Sequence, residues 1–297
     1  MRTVAVMFLA LLAPLPAGAI NVFSCEPEWG SLVRELAGEL AELTIATTAF
    51  QDPHRLEAKP SLIAAIRKAD LVVCTGADLE IGWLPLLLRR AGNAAIQSGG
   101  PGHFMAADYV RKLETPKIID RSQGDIHPQG NPHVHLDPRN IRRIADALAQ
   151  RLAEIDPMNA AAYGARLADF QSRWDTASAE WEGRKTGLVG LRLASHHRSF
   201  SYLAAWLDLN IVATLESKPG IPPSGAQLAA LLEQLSPNPP VAVIRTPYEN
   251  EKPSSWLSAR LGIPAITLPY TTGSDQMVTD LFALFEETLR SLEDVRQ

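Results

Sequence analysis

Ser61-Leu62-Ile63-Ala64-Ala65-Ile66-Arg67-Lys68-Ala69-Asp70-Leu71-Val72-Val73-Cys74-Thr75-Gly76 sets a short helix directly before a short strand. Ser61 is a helix-capping residue type, so the helix is expected over Leu62–Lys68. Asp70–Cys74 is an apolar run bounded by Gly76, which reads as a strand. Upstream, Ile20–Ser24 reads as a strand and Leu43–Thr48 as another. Between them Pro27–Gly38 puts Trp29, Leu32, Val33 and Leu36 on one helical face. Strands alternating with helices make a parallel sheet.

Downstream, Gly99–Gly102 is a loop and Ile118–Asp120 a short strand. A second alternating block follows. It has strands at Leu191–Ser195, Ile211–Leu215, Val241–Arg245 and Ala265–Leu268, and helices reaching Leu207 and over Gln227–Leu235, Ser254–Leu261 and Met277–Leu292. Two helices lie between the blocks: Pro138–Ile155, capped by Asp137, and Met158–Arg184, about 40 Å long at 1.5 Å per residue. The second carries Tyr163, Leu167, Phe170, Trp174 and Trp181, mostly three or four residues apart. The expected fold is α/β, with two lobes, 20–136 and 185–297, each holding a small parallel sheet flanked by helices. Residues 137–184 form the helical connector.

The 297 residues are 46% hydrophobic and 21% charged, enough for one large domain or two ordinary ones. The net charge of −5 and the absence of a basic block argue against nucleic acid as a partner. Arg2, the apolar run Val4–Ala13 and Ala17-Gly18-Ala19 have the pattern of a secretory signal peptide over 1–19. The expected mature chain starts near Ile20, outside the cytoplasm. There the two cysteines, Cys25 and Cys74, can form a disulfide if their strands are adjacent; otherwise they are two buried thiols.

Three of the seven histidines fall where ligands bind. In an open parallel sheet, ligands sit beyond the strand C-termini. His54 lies in the loop after the second strand, His197 opens a helix after the Leu191–Ser195 strand, and His133 precedes the Pro138 helix. Three imidazoles from separate loops can enclose one ion at a lobe interface, and three histidines suit zinc with a carboxylate or water in fourth position. Oxygen ligands would favour manganese instead. Asn131-Pro132-His133-Val134-His135-Leu136-Asp137 reads as extended, so His133 and His135 are expected to face one side. His127 and His135 flank His133 and are expected to assist metal capture without being central ligands.

Asp52-Pro53-His54 with Glu57, Pro60 and Ser61 resembles the D-P-H-x-x-E-x-x-P-S segment of periplasmic metal-binding proteins, the solute-binding components of zinc and manganese ABC transporters. Ala69–Val73 with Gly76 and Glu80 is similar to that family's A-D-L-V-x-x-x-G-x-x-x-E. Asn131–Pro138 resembles its D-P-H-x-W-L-D-P, with His135 in the tryptophan position, and His197, Phe200 and Tyr202 resemble its H-x-x-F/Y-x-Y. The resemblance implies two lobes bridged by a rigid helix, with Zn²⁺ between them as the transported ligand and Mn²⁺ the lesser alternative. It also implies a periplasmic monomer that is not an enzyme and docks on a membrane permease. It transfers the ligand role to His54, His133 and His197; a histidine at the third position goes with zinc, where manganese proteins tend to have glutamate. The family's fourth ligand is a carboxylate after the last strand. Here a threonine falls at that place, and Asp275 is the expected substitute. The long histidine-rich loop of many zinc members is reduced to a segment holding Asp125, His127 and His133.

The competing reading is a zinc-dependent hydrolase built on His133-Val134-His135-Leu136-Asp137, an H-x-H-x-D pattern. Against it stand the helix-capping role open to Asp137 and the absence of a histidine after it.

Overall fold

The computed structural model describes residues 18–117, 124 and 127–296. The expected strand at 118–120, Asp125 and most of the signal segment lie outside them.

The first sheet contains β1 (Ile20–Ser24), β2 (Ala41–Ile45), β3 (Leu71–Cys74) and β4 (His103–Met105), all parallel, in the order β2-β1-β3-β4. The second contains β5 (Arg192–Ser195), β6 (Asn210–Thr214), β7 (Ala242–Arg245) and β8 (Ala265–Thr267), also parallel, in the matching order β6-β5-β7-β8. The central strands β3 and β7 are buried along nearly their whole length, as the apolar runs at 71–74 and 242–244 require. Helices α1 (Pro27–Ala37), α2 (Pro60–Lys68) and α3 (Leu84–Ala91) cover the first sheet. Helices α6 (Ser201–Leu207), α7 (Gly225–Leu235) and α8 (Glu251–Leu261) belong with the second.

Three further helices tie the lobes together: α4 (Pro138–Ile155), α5 (Ala160–Lys185) and α9 (Leu281–Arg296). Asp137 caps α4 as expected, its Oδ1 accepting from the Arg139 N–H at 2.9 Å, with Pro138 in the first turn. The 26-residue α5 buries Tyr163, Phe170, Trp174 and Trp181. Trp174 packs edge-on against Phe285 of α9, with centroids 5.6 Å apart. Trp181 packs against Phe285 at 5.1 Å and Trp206 of α6 at 6.5 Å. At its other end Arg173 reaches Glu35 of α1 at 2.5 Å. One hydrophobic cluster therefore runs from Trp29 in the first lobe through α5 to Phe285 and Leu292 in the second.

Several boundaries differ from expectation. Helix α2 starts at Pro60, not behind Ser61: Lys59 stands at its cap without a side-chain bond, and proline's fixed φ starts the first turn instead. Helix α9 starts at Leu281, not Met277, because Asp280 accepts from the Ala283 N–H at 2.9 Å and acts as its cap. The Asn131–Asp137 stretch is not extended: Val134–Leu136 forms a 3₁₀ turn. At three residues per turn, positions 133 and 135 point in different directions.

Cys25 and Cys74 form a disulfide, with Cα atoms 4.8 Å apart. The parallel register makes it possible: β1 pairs with β3 through Ser24 and Val73, so the residues after them lie side by side. No helix among the described residues is long and apolar enough to cross a membrane.

Candidate metal centre

His54, His133 and His197 meet at the facing C-terminal ends of the sheets. One ring nitrogen of each lies within 4.8 Å of the others. Their ring centroids form a near-equilateral triangle of 5.7, 5.9 and 5.6 Å sides. His54 is brought there by the loop after β2, held from behind by Trp83, whose Nε1 donates to the Pro53 carbonyl at 2.8 Å. His197 stands two residues beyond β5, at the start of the turn that leads into α6. His133 precedes the 3₁₀ turn, and its backbone N–H donates to Asn131 Oδ1 at 3.0 Å. Asn131 itself spans the lobes, donating to Glu114 Oε2 and the Arg198 carbonyl, both at 2.9 Å.

Each of the three rings has its Nδ1 held by an oxygen. His54 Nδ1 lies 2.8 Å from Asp52 Oδ1, His197 Nδ1 lies 2.7 Å from Glu216 Oε2, and His133 Nδ1 lies 2.7 Å from the Tyr270 hydroxyl. A proton on each Nδ1, donated to these oxygens, leaves Nε2 with a free lone pair. This is the arrangement that orients metal-binding imidazoles and raises their basicity. The His133 Nε2 is buried without a hydrogen-bond partner among the described residues. An orphaned buried acceptor is costly unless something occupies it, and a cation fits.

Burial, reinforced by the positive fields of His197 and His54, holds His133 well below the ordinary imidazole range. Burial also works against the Asp52 carboxylate, but the hydrogen bond and charge of His54 outweigh it and lower its pKa. Burial keeps the Tyr270 phenol well above its usual value. Tyr270 thus remains a neutral hydroxyl at the back of His133.

His135 does not face the same way as His133. It is fully buried, its Nε2 lies 2.8 Å from the Tyr270 carbonyl and its Nδ1 3.3 Å from Glu28 Oε1. Asp137 is occupied with the α4 cap and an ion pair to Arg139. The H-x-H-x-D residues therefore do not converge, and the hydrolase reading loses its site. The 3₁₀ turn is the cause.

Asp275 is not brought to the histidines either. It is exposed, and its Oδ1 accepts from the Met277 and Val278 N–H groups at 2.7 and 3.0 Å, closing a local turn. Thr271, in the same loop, is buried and donates to Glu28 Oε2 at 2.5 Å. With its carboxylate engaged by backbone donors, Asp275→Ala is expected to leave zinc affinity unchanged. It should lower stability by about 1 kcal/mol, the net worth of the lost turn bonds; titration calorimetry and a melting curve on one variant check both.

Asp52, Glu216, Tyr270 and Asn131 were not assigned roles from sequence. Asp52 was legible in principle: an Asp two residues before a candidate ligand can fold back on it. Glu216 and Tyr270 lie 19 and 137 residues from the rings they support, and only the sheet topology brings them close.

Residues 22–295 match the family model of the zinc-uptake complex component A, periplasmic. This chain belongs to that family. It is 25% identical over 276 residues to the high-affinity zinc uptake system protein ZnuA of Paracoccus denitrificans strain Pd 1222, covering 81% of this chain and 80% of that one. It is also 25% identical over 231 residues to the zinc-binding lipoprotein AdcA of Streptococcus pneumoniae, covering 74% of this chain but 44% of the longer AdcA. A crystal structure of ZnuA superposes with a TM-score of 0.78 at 22% identity, over 94% of this chain and all of the other, so the two share a fold.

Proposed function

We propose that this chain captures one Zn²⁺ between its lobes through His54, His133 and His197 and passes it, chemically unchanged, to the membrane permease of an ABC transporter. The observation that carries this reading is the convergence of three imidazole nitrogens from separate loops, each ring held from behind by an oxygen. Imidazole is a ligand zinc takes readily, while harder ions such as Mn²⁺ favour oxygen. Names of relatives in the family, a zinc uptake protein and a zinc-binding lipoprotein, support the same assignment. Residues 20–136 and 185–297 act as the two jaws and 137–184 as the connector.

Export fits the same reading. Because β1 begins at Ile20, removing residues 1–19 costs the sheet nothing. Intact-mass measurement of the exported protein is expected to give an N-terminus at or near Ile20.

Titration calorimetry with zinc and manganese decides the metal: zinc binds tightly at one site and manganese more weakly, and the reverse order would sink the assignment. Affinity should fall as pH drops below ~6.5, because only the neutral imidazole ligates. The sign is fixed by competition: protons bind the metal-free protein more than the loaded one. The slope should stay below three protons per ion, since His133 is already held neutral by burial.

A further inference from the structure

Among the described residues no carboxylate joins the three imidazoles, and a fourth histidine lies beside His54. His127 Nε2 is 3.2 Å from His54 Nε2, with ring centroids 5.2 Å apart. In a tetrahedral zinc site with Zn–N bonds of about 2.0–2.1 Å, neighbouring nitrogens are separated by about 3.3–3.4 Å. The His54–His127 pair is therefore spaced close to two corners of one tetrahedron; the convergence within 4.8 Å is that of His54, His133 and His197, and His127 has still to close on the last two as the ion enters. With the His54 Nδ1 proton directed to Asp52, the facing His54 Nε2 carries a lone pair.

His127 shares a cavity with His133, His197, Asn131, Ser217 and Lys218. His127 and Gly124 are each held locally. The Gly130 N–H donates to the His127 carbonyl at 3.0 Å, closing a turn. At Gly124, φ is +87° and an added Cβ would lie 2.3 Å from the Pro219 carbonyl oxygen, so the chain passes tightly under the second lobe's loop. Its Nδ1 is buried outside hydrogen-bonding geometry with any described residue, although the Ala77 backbone faces the ring.

Resting on the three-histidine reading above, we propose that His127 is the fourth zinc ligand and closes an all-imidazole coordination shell. Such a shell is uncharged and contains no oxygen donor, so it selects against Mn²⁺ more strongly than three histidines with a carboxylate would. The short segment left where many zinc members have a long loop then carries the residue that replaces the missing carboxylate.

The test is zinc-edge X-ray absorption and chelator-competition affinity on the mature wild-type protein, His127→Ala and His54→Ala. The expected wild-type shell is four imidazoles, and His127→Ala should show three plus an oxygen from water. Zinc affinity in His127→Ala should drop at least about tenfold, less than for His54→Ala because water refills the vacated position, while manganese affinity does not fall in parallel. An oxygen in the wild-type shell, or an unchanged spectrum and affinity in His127→Ala, would overturn the proposal. If His54→Ala loses zinc and His127→Ala does not, the fourth ligand alone is wrong; if both keep it, the three-histidine site is wrong as well.

Discussion

His133→Ala should lose zinc binding by at least about a hundredfold while its melting temperature without metal falls less than that of His135→Ala. Four-ligand structural zinc sites are worth about 10–16 kcal/mol, so one ligand accounts for roughly 3 kcal/mol. The metal-free fold gives up the Nδ1 bond to the Tyr270 hydroxyl, about 1 kcal/mol, and nothing at Nε2, which has no hydrogen-bond partner among the described residues. His135→Ala should behave in the opposite way. Its ring is wholly buried between Glu28 and the Tyr270 carbonyl, and removing it leaves that carbonyl without its 2.8 Å donor and opens a cavity in the seam between the lobes. An unpaired buried acceptor and a ring-sized cavity together cost about 2–5 kcal/mol. Titrating both variants with zinc, beside melting curves of each, separates the two roles. Equal losses of affinity would show that both rings coordinate the ion.

Reduction of Cys25–Cys74 should lower stability by about 4 kcal/mol, the loop-closure value for a segment of this length. The bond joins neighbouring strand ends 49 residues apart and is wholly buried, so reduction needs partial unfolding first. Denaturant curves with and without reductant, and on the double variant Cys25→Ser with Cys74→Ser, give the difference directly. A shift below about 1 kcal/mol would mean that the unfolded first lobe is already compact enough for the crosslink to restrict little.

Seven of the eight strands were legible because they are short apolar runs punctuated by glycine, proline or polar residues. The exception, β4, has three residues, His103-Phe104-Met105, and takes its extended form from pairing with β3, not from its own composition. Among the site residues, His54, His133 and His197 could be found because each sits at a strand or helix junction on the ligand edge of a sheet. The directions of His133 and His135 could not. A 3₁₀ turn and an extended strand differ by a few backbone angles, and proline and aspartate on either side are compatible with both. Asp275 was misread for a related reason. A loop aspartate bonds its own backbone as readily as an ion, and sequence spacing does not distinguish the two.

Helix α5 runs unbroken past both sheets, with Trp174 and Trp181 locked against α9 and Arg173 fastened to α1. Swinging the lobes apart would pull these aromatic faces from one another, against a shared core. The rings His54 and His197 are carried instead by loops, and Arg55 Nη2 joins those loops across the gap by donating to the Gly220 carbonyl at 3.1 Å. Under the proposed function the ion is therefore expected to leave through a door and not through a hinge. Its residence time would be the waiting time for a loop to lift, with the beam behind staying straight.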